Sequence, residues 1–406
     1  MNRPKRKIIG ILTLRLMVNY GGVLQNAALH KALHKLGFFS VTIPYSHPMS
    51  LNTWELEKNG GWMKRLAYKM GLMRCLAILQ DNTPGWLRGL RWLGVSSLKL
   101  ASRGHLIRRF IKKHICMSHY CGCPINARDV ARIGAWAYVV GSDQVWRSSM
   151  SRDKRPFFCH FLSREERNRC ISYAASFGVS HWDWPEDMTL ECAKLASEFR
   201  AHSVREEEGV DLCQKYLGVN AKWVPDPTFL LTRDEWNALR GDVSYDSHSP
   251  YIAYYILDMT PQKQIYLEKL AAKMRCRLVN CKYDAPLSSD AEKDATPDFR
   301  PVEEWLKVIE DASCMITDSF HGMVFSVIYN IPFLCFGNEG RGNTRFNSLY
   351  RKLNLHYCMM SEQDIVSVRI PHVLPEEWAR VNAEVAAWRE EGYAYIVHNL
   401  KEMDNE

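Results

Sequence analysis

Hydrophobic and polar positions follow two different spacings along most of the chain. Short apolar runs bounded by Gly, Pro, Asn or Asp are typical of buried strands, and apolar residues every three or four positions are typical of helices. The first run covers residues 7–14, and helical spacing covers residues 23–36. We therefore predict a strand, a loop at 19–22, a helix and a second strand at 41–43, which together form a βαβ opening with glycines at its first turn.

Strands and helices continue to alternate in two stretches separated by a polar segment at 240–250. The further strands are predicted at 135–140, 170–175, 203–205, 222–224, 251–257, 278–280, 314–317 and 333–336, and the later helices at 261–274, 302–312 and 323–329. Such alternation predicts mainly parallel sheets. We predict an α/β fold of two Rossmann-like lobes, residues 1–240 and 250–406, with ligands beyond the carboxyl ends of the strands in a cleft between the lobes.

The segment from about residue 50 to 120 breaks this pattern. It is rich in Trp, Leu, Lys and Arg, and it predicts a basic helical insertion in the N-terminal lobe. Residues 1–132 hold 22 Lys and Arg against 4 Asp and Glu, although the net charge of the whole chain is only +8. A packed insertion with a solvated basic face and a surface that contacts an anionic membrane near lipid-linked substrates both fit this composition. Nucleic-acid binding is not expected, because no recognised reading motif is present.

The location of the protein follows from its N-terminus, its hydropathy and its cysteines. The basic N-terminus leads into a short apolar run with no small-residue cleavage site, and no apolar stretch approaches the length of a membrane span. The 13 cysteines are scattered along the chain, and a long chain with no signal peptide is expected to keep them reduced. We expect a cytoplasmic protein, and the basic insertion leaves open a peripheral position at the inner face of the membrane.

Polar clusters follow the predicted strands and precede helices, where exposed helix N-terminal amides favour anions. Two arginines in the glycine-rich loop 337–346 are suited to hold a phosphate or carboxylate. The predicted substrate-binding residues are Asn19, Gly21, Gly22, Gln25, Ser142, Ser176, Asp318, Ser319, Gly322, Arg341, Asn343 and Arg345.

His321 stands at a predicted helix N-terminus, directly after the strand 314–317. A neutral imidazole there is able to accept a proton, and a cationic one to stabilise a phosphate. The alternative is that His321 caps the helix or is an ordinary buried histidine. Its position between Asp318 and the arginine loop favours function.

Other candidate residues leave alternatives open. Asp143 either orients an acceptor hydroxyl or caps the next helix, and Asp226, between two prolines, either binds a ligand or fixes a turn. The spacings of His114, Cys116, His119, Cys121 and Cys123 do not match a paired Cys-x-x-Cys zinc site, so no metal is expected. No cofactor is expected either, because the chain has no P-loop lysine motif and no dinucleotide fingerprint.

Six short pieces occur in a characteristic order over almost the whole chain. They are Gly10–Thr13 with Asn19–Gln25, then Val140–Trp146, Ser172–Gly178, Ser203–Glu206, Val224–Thr228 and Thr317–Gly322. In this order and spacing the chain resembles the polysaccharide pyruvyl transferase family.

The resemblance implies a transferase that moves a pyruvyl group from phosphoenolpyruvate to a sugar of a cell-surface polysaccharide or of its lipid-linked precursor, often as a ketal. It also implies a fold similar to glycosyltransferase-B, with the acceptor at the N-terminal lobe and phosphoenolpyruvate contacts from Arg205 and His321. Many relatives have an arginine where this chain has Ser319, and Arg341 or Arg345 would then supply the missing charge.

We assign His321, Arg205 and Asp143 as the catalytic residues. A nucleotide-sugar glycosyltransferase of the same two-lobed fold is the alternative enzyme. A non-catalytic protein of polysaccharide assembly or of the membrane surface is the alternative outside the enzymes.

Overall fold

The computed structural model describes residues 7–16, 19–45, 104–118, 127–151, 153–245, 249–283, 298–338 and 342–404. Contacts divide the chain into two units. Unit 1 comprises the described residues of Met1–Ser102, Ile111–Leu230 and Glu390–Glu406, and unit 2 those of Arg103–Phe110 and Leu231–Arg389. Most of the predicted insertion at 50–120 lies outside the described residues, and the lobe boundaries of the sequence analysis stay a prediction.

The described elements up to Leu230 alternate between strands and helices, as the spacing of apolar residues predicts. They are β1 (Ile8–Leu14), α1 (Tyr20–Lys35), β2 (Phe39–Tyr45), α2 (His105–His114), α3 (Ala127–Ala131), β3 (Ala137–Gly141), α4 (Arg164–Arg167), β4 (Cys170–Tyr173), α5 (Glu186–Ala196), β5 (His202–Val204), α6 (Glu208–Leu212) and β6 (Ala221–Trp223).

The sheet of unit 1 has the strand order β2-β1-β3-β4, and all three pairings are parallel. Single parallel bridges between Ile171 and Ala201 and between Ala175 and Val204 connect β4 to the small β5–β6 pair. Both faces of the sheet are covered, because Ile9 and Ile11 of β1 pack into one apolar cluster and Leu12 packs into another. Burial on both faces is typical of parallel sheets.

The described elements from Leu231 onward repeat the alternation. They are α7 (Arg233–Arg240), β7 (Tyr251–Tyr255), α8 (Pro261–Met274), β8 (Arg277–Asn280), α9 (Val302–Glu310), β9 (Cys314–Thr317), α10 (Phe320–Tyr329), β10 (Phe333–Cys335), α11 (Thr344–Leu353), α12 (Glu362–Ser367) and α13 (Pro375–Ile396).

The sheet of unit 2 has the order β10-β9-β7-β8, again with parallel pairings throughout. In both units the first strand of the sheet therefore lies between the second and the third strand in chain order. At this position the chain connections diverge, and α/β proteins generally bind their ligands beyond the carboxyl ends of the two central strands there. The predicted α/β fold with parallel sheets is confirmed. None of the helices in the described part of the chain is long and apolar enough to cross a membrane.

Candidate functional site

The turn after β9 is packed so closely that it requires a glycine. A Cβ atom on Gly322 would lie 2.3 Å from Oγ1 of Thr317. That hydroxyl is fixed, because it donates to the carbonyl of Tyr255 at 2.7 Å and accepts from the amide of Ser319 at 3.0 Å. Helix α10 therefore starts at Phe320 directly against the strand. The predicted helix start at residue 323 is wrong for this reason.

His321 is the second residue of α10 and is buried. Its ring meets the ring of Phe320 edge-on, with 5.3 Å between centroids. The guanidinium of Arg345 lies 5.5 Å from the centroid of the same Phe320 ring, in the range of a cation–π contact. The fold thus brings the predicted histidine and one of the two predicted arginines to the same aromatic side chain.

Arg345 belongs to a helix rather than to a loop. Helix α11 begins at Thr344, so the predicted loop 337–346 ends earlier than expected. The turn before α11 is held by Asn343, whose Oδ1 accepts from the amide of Asn338 at 2.6 Å. Arg341, the other predicted arginine, lies outside the described residues.

The N-termini of α10 and α11 make this region favourable for an anion. Neither helix has an acidic residue in its first turn. Neither N-cap side chain, Ser319 or Asn343, accepts a hydrogen bond from its own helix. The N-terminal amides and the partial positive charge of a helix start attract phosphates and carboxylates, and Arg345 adds a full charge. The group can therefore bind an anion.

Asp318 has a different role in unit 2, because its side chain is fully buried and already accepts four hydrogen bonds. The donors are the amides of Leu257 and Asp258 at 2.6 and 3.1 Å, Lys263 Nζ at 2.8 Å and Asn338 Nδ2 at 3.4 Å. The carboxylate thus joins the ends of the two central strands β7 and β9. Its predicted contact with substrate stays a prediction, whereas its structural function is evident.

In unit 1 the turn after β3 places Asp143 beside the start of α1. Asp143 has a φ of +56°. A Cβ atom on Gly22 would lie 3.4 Å from Oδ2 of Asp143 and 3.1 Å from Nδ2 of Asn19. Gly21 and Gly22 are in the first turn of α1, so the predicted loop at 19–22 is wrong. A Cβ atom on Gly22 would crowd Nδ2 of Asn19, whereas it would meet Asp143 at an ordinary contact distance.

Two predicted substrate-binding residues near this turn have buried oxygens whose hydrogen bonding is not satisfied by the described residues. Gln25 donates through Nε2 to the carbonyl of Gly22 at 2.8 Å. Its Oε1 and the Oγ of Ser142 are buried and have no hydrogen-bond partner among the described residues. Buried polar atoms are nearly always satisfied in native proteins. These two oxygens are therefore suited to accept hydrogen bonds from a hydroxyl-bearing ligand.

Arg205 lies after β5 among three carboxylates. Its Nη1 donates to Asp226 at 2.8 Å, its Nη2 lies 3.8 Å from Asp143 Oδ1, and its Nε lies 3.7 Å from Glu206 Oε1. Burial opposes the charge of this guanidinium, but the three carboxylates outweigh burial and raise the pKa of Arg205 above its usual value.

Two of these acidic residues have further fixed partners. Asp226 Oδ1 also accepts from the amide and the hydroxyl of Thr228, at 3.0 and 2.7 Å, which identifies Asp226 as a structural carboxylate. Ser176, a predicted substrate residue, donates through Oγ to Glu206. Glu206 is not among the predicted site residues, although its position directly after Arg205 and before α6 indicates a place in the cluster.

The described residues contain no group of three or more His, Cys, Asp or Glu side chains placed to hold a metal ion. His119, Cys121 and Cys123 of the cysteine and histidine group lie outside the described part of the chain.

The fold and the two clusters define an α/β protein with an anion-binding arrangement in one unit and a carboxylate cluster in the other. The family model described as polysaccharide pyruvyl transferase matches residues 19–340. The chain therefore belongs to the polysaccharide pyruvyl transferase family. It is a transferase of polysaccharide biosynthesis, and its family implies a sugar or polysaccharide acceptor. Among curated proteins none matches the chain.

Solved structures with a similar course of the chain are distant in sequence. UGT89C1 from Arabidopsis thaliana, solved with UDP-L-rhamnose, is 12% identical, with 98% of each chain covered and a TM-score of 0.47. The glycosyltransferase SnogD from Streptomyces nogalater is 10% identical, with 97% of this chain and 100% of its own covered and a TM-score of 0.43. Likenesses at this level carry no argument about activity.

Proposed function

We propose that this transferase moves a pyruvyl group from phosphoenolpyruvate to a sugar of a cell-surface polysaccharide or of its lipid-linked precursor, and that the product is a ketal. The single observation that supports phosphoenolpyruvate as the donor is the group of His321, Phe320 and Arg345 at the starts of α10 and α11. Phosphoenolpyruvate has a phosphate and a carboxylate, and such a donor needs both helix amides and a cation.

Arg345 supports the proposal where the chain departs from many of its relatives. Ser319 stands in the place of their arginine, so the charge must come from elsewhere. Arg345 is buried against Phe320, next to His321, and provides that charge from the neighbouring helix. Arg341 remains a second proposed contact outside the described residues.

The proposed chemistry begins with protonation of the methylene carbon of phosphoenolpyruvate, which makes its C2 electrophilic. His321 supplies acid assistance or stabilises the phosphate. One sugar hydroxyl adds to C2 through its oxygen and loses its proton. A second hydroxyl then attacks C2 and also loses its proton, while the bond from C2 to the phosphate oxygen breaks and phosphate leaves. Asp143 is the proposed carboxylate that orients the acceptor hydroxyl and accepts its proton.

The direct test is incubation of the purified protein with phosphoenolpyruvate and an acceptor glycan. We expect the glycan to gain pyruvate in the mass spectrum and one inorganic phosphate to be released for each pyruvate. Thermal stability should rise with phosphoenolpyruvate and not with nucleotide sugars, since a ligand that binds only the folded state stabilises it. Stabilisation by nucleotide sugars alone would instead identify a glycosyltransferase.

Arg345 gives the sharper form of this test. Loss of a charged hydrogen bond costs about 1.5–3 kcal/mol, so Arg345→Ala should weaken phosphoenolpyruvate binding about 10–100-fold. The matched control is Arg351→Ala, which removes an exposed arginine from the last turn of the same helix. Equal affinities of the two variants would remove Arg345 from the donor site.

A further inference from the structure

Asn19 is the N-cap residue of α1, but its side chain does not cap the helix. Asparagine is common at this position because its side-chain oxygen usually accepts a hydrogen bond from an amide of the first turn. The backbone of Asn19 is in the usual place, since its carbonyl accepts from the amide of Val23 at 3.1 Å. The side chain is exposed, and no hydrogen bond ties it to the described residues. Its amide group is therefore available to a ligand.

The amide of Asn19 and the carboxylate of Asp143 face the same small space beside Gly22. A Cβ atom on Gly22 would lie 3.1 Å from Nδ2 of Asn19 and 3.4 Å from Oδ2 of Asp143, so the separation of these two atoms cannot exceed the sum of the two distances. No hydrogen bond joins the two side chains directly. The limit is close to the length of two hydrogen bonds of about 2.7–3.2 Å each, so one oxygen atom between them is within reach of both.

The two groups have opposite hydrogen-bonding character. Nδ2 of an asparagine only donates, and an ionised carboxylate oxygen only accepts. A hydroxyl group satisfies both at once, because its oxygen accepts from Asn19 while its proton is donated to Asp143. The ionised phosphate and carboxylate of phosphoenolpyruvate have no proton to donate to Asp143. The space beside Gly22 therefore fits a hydroxyl of the sugar better than the anionic donor.

Asp143 is held so that one oxygen of its side chain faces this space. Its carbonyl accepts from the amide of Ser176 at 3.0 Å, and its Oδ1 accepts from the amide of Gln144 at 2.9 Å. Oδ2 is the oxygen that faces the start of α1. The side chain is 12% exposed, so a ligand is able to reach it. Gly22 is also fixed, because its carbonyl accepts from Nε2 of Gln25 at 2.8 Å.

We infer that Asn19 is a specificity-determining residue that holds the reacting hydroxyl of the acceptor sugar against Asp143. Asn19 donates to the hydroxyl oxygen, and Asp143 accepts the hydroxyl proton. The oxygen uses a lone pair to bond to C2 of the donor, which is electrophilic once the methylene carbon has been protonated. Gly22 leaves space for the hydroxyl because it has no side chain. The inference rests on the proposed function and adds to it the residue that selects a hydroxyl at this point.

The first test is Asn19→Ala in the full-length protein. The acceptors are the methyl glycosides of glucose, galactose, mannose and N-acetylglucosamine, and phosphate release from phosphoenolpyruvate is measured. Loss of one neutral hydrogen bond should lower kcat/KM for the acceptor about 3–10-fold. The affinity for phosphoenolpyruvate, measured by calorimetry without acceptor, should stay unchanged. The unfolding midpoint should change little, because the side chain of Asn19 makes no cap.

The matched control is Ser163→Ala. Ser163 is also an N-cap residue in unit 1, but its side chain does cap its helix, since Oγ accepts from the amide of Glu166 at 3.3 Å. This variant should show the reverse pattern, with a lower unfolding midpoint and an unchanged kcat/KM.

Asn19→Asp separates a role in the reaction from a role in the helix. Aspartate is as good an N-cap as asparagine, so stability should be kept. The new carboxylate would lie next to Asp143, and Arg205, the charged side chain that faces Asp143 at 3.8 Å, is not altered. Like charges raise the pKa of a carboxyl group, and Asp143 must be ionised to accept a proton. The acid limb of the pH profile of kcat/KM should therefore move up by about one pH unit.

Gly22→Ala keeps the test decisive if changes at Asn19 prevent folding. Alanine is the better helix former, so the change should not weaken α1. Its methyl group would instead occupy the space between Asn19 and Asp143. We expect kcat/KM for the acceptor to fall by at least as much as in Asn19→Ala, again with normal affinity for phosphoenolpyruvate.

Unchanged kcat/KM for the acceptor in both Asn19→Ala and Gly22→Ala would overturn the inference. So would an unshifted pH profile in Asn19→Asp, because the two side chains would then not face one another. A fall in phosphoenolpyruvate affinity of about tenfold or more in Asn19→Ala would place Asn19 in the donor site instead. Failure of the proposed function is distinguishable, because the unmodified protein would then neither bind phosphoenolpyruvate nor transfer pyruvate.

Discussion

The two units share a strand order but differ in the charge they place at the carboxyl ends of their sheets. In unit 1 the ends of β3 and β5 carry Asp143 and Glu206, and the guanidinium of Arg205 is held among acidic groups. In unit 2 the carboxylate of Asp318 is used by its own structure, and Arg345 and the helix starts supply positive charge.

Under the proposed function, this difference suits one architecture to two kinds of ligand. Carboxylates and unsatisfied oxygens such as Gln25 Oε1 suit hydroxyl groups, whereas helix amides and a guanidinium suit anions. The fold supplies the position after the central strands in both units. The side chains at that position decide what is recognised there.

The largest expected effect comes from His321→Ala in unit 2. Loss of a general acid typically lowers kcat about 10²–10⁴-fold.

Asp143→Asn in unit 1 should also lower kcat, but it should leave phosphoenolpyruvate affinity unchanged, because we assign Asp143 to the acceptor. Steady-state kinetics and calorimetry separate the two effects, and His398→Ala, at a 70% exposed histidine, is the control. Near-normal turnover in His321→Ala would contradict the assignment of the donor site to unit 2.

Asp318→Ala tests whether the carboxylate of unit 2 is structural. The change leaves the partly buried Lys263 without its fully buried carboxylate and breaks the link between β7 and β9, so unfolding should require about 3 kcal/mol less free energy. Asp311→Ala is the matched control, since its lysine pair at 2.7 Å is partly exposed and such pairs contribute less than about 1 kcal/mol. Chemical denaturation measures both, and similar losses would contradict the structural role.

Acid should weaken unit 1 through two buried histidines. Burial lowers the pKa of both His30 and His202 from 6.5 to about 4. Between these values the unfolded chain binds protons that the folded chain excludes, so stability is complete above about pH 6.5 and falls as the pH approaches 4. Each histidine should account for about 3 kcal/mol of this loss.

Unfolding midpoints at several pH values test this expectation. His202→Phe keeps a ring that is able to stack on Phe199, where the centroids are 5.2 Å apart, but it has no titrating nitrogen. Its stability should therefore vary less between pH 6.5 and 4 than that of the unmodified protein. The same pH dependence in both proteins would exclude His202 as a cause.

The smallest expected effect is that of Gly322→Ala. The new methyl group would overlap Oγ1 of Thr317, and overpacking of this kind costs about 1–3 kcal/mol of stability. Gly337→Ala is the control, because its Cβ atom would meet nothing closer than 3.5 Å. Thermal denaturation of the two variants gives the comparison. If Gly322→Ala were as stable as its control, close packing would not explain why α10 begins at Phe320.

Much of the fold was predictable, because the spacing of apolar residues along the chain indicates its strands and helices. The helix Pro261–Met274 and the strand Cys314–Thr317 agree with their predicted bounds, since each is a regular pattern with clear ends. The helix starts at Tyr20 and Phe320 were placed too late. Glycine in the sequence indicates a turn, and only the contact of Gly322 with Thr317 shows why the glycine of α10 lies inside a helix.

The candidate site was likewise predictable in part from the sequence. The sequence by itself determined the α/β class, the family and the polar residues that follow the strands, because motif order and apolar periodicity are properties of the chain alone. Only the tertiary structure decided what those residues contact. Arg345 reached Phe320, and Arg205 was enclosed by acidic groups, through packing between segments that are distant along the chain. Sequence spacing does not encode such contacts.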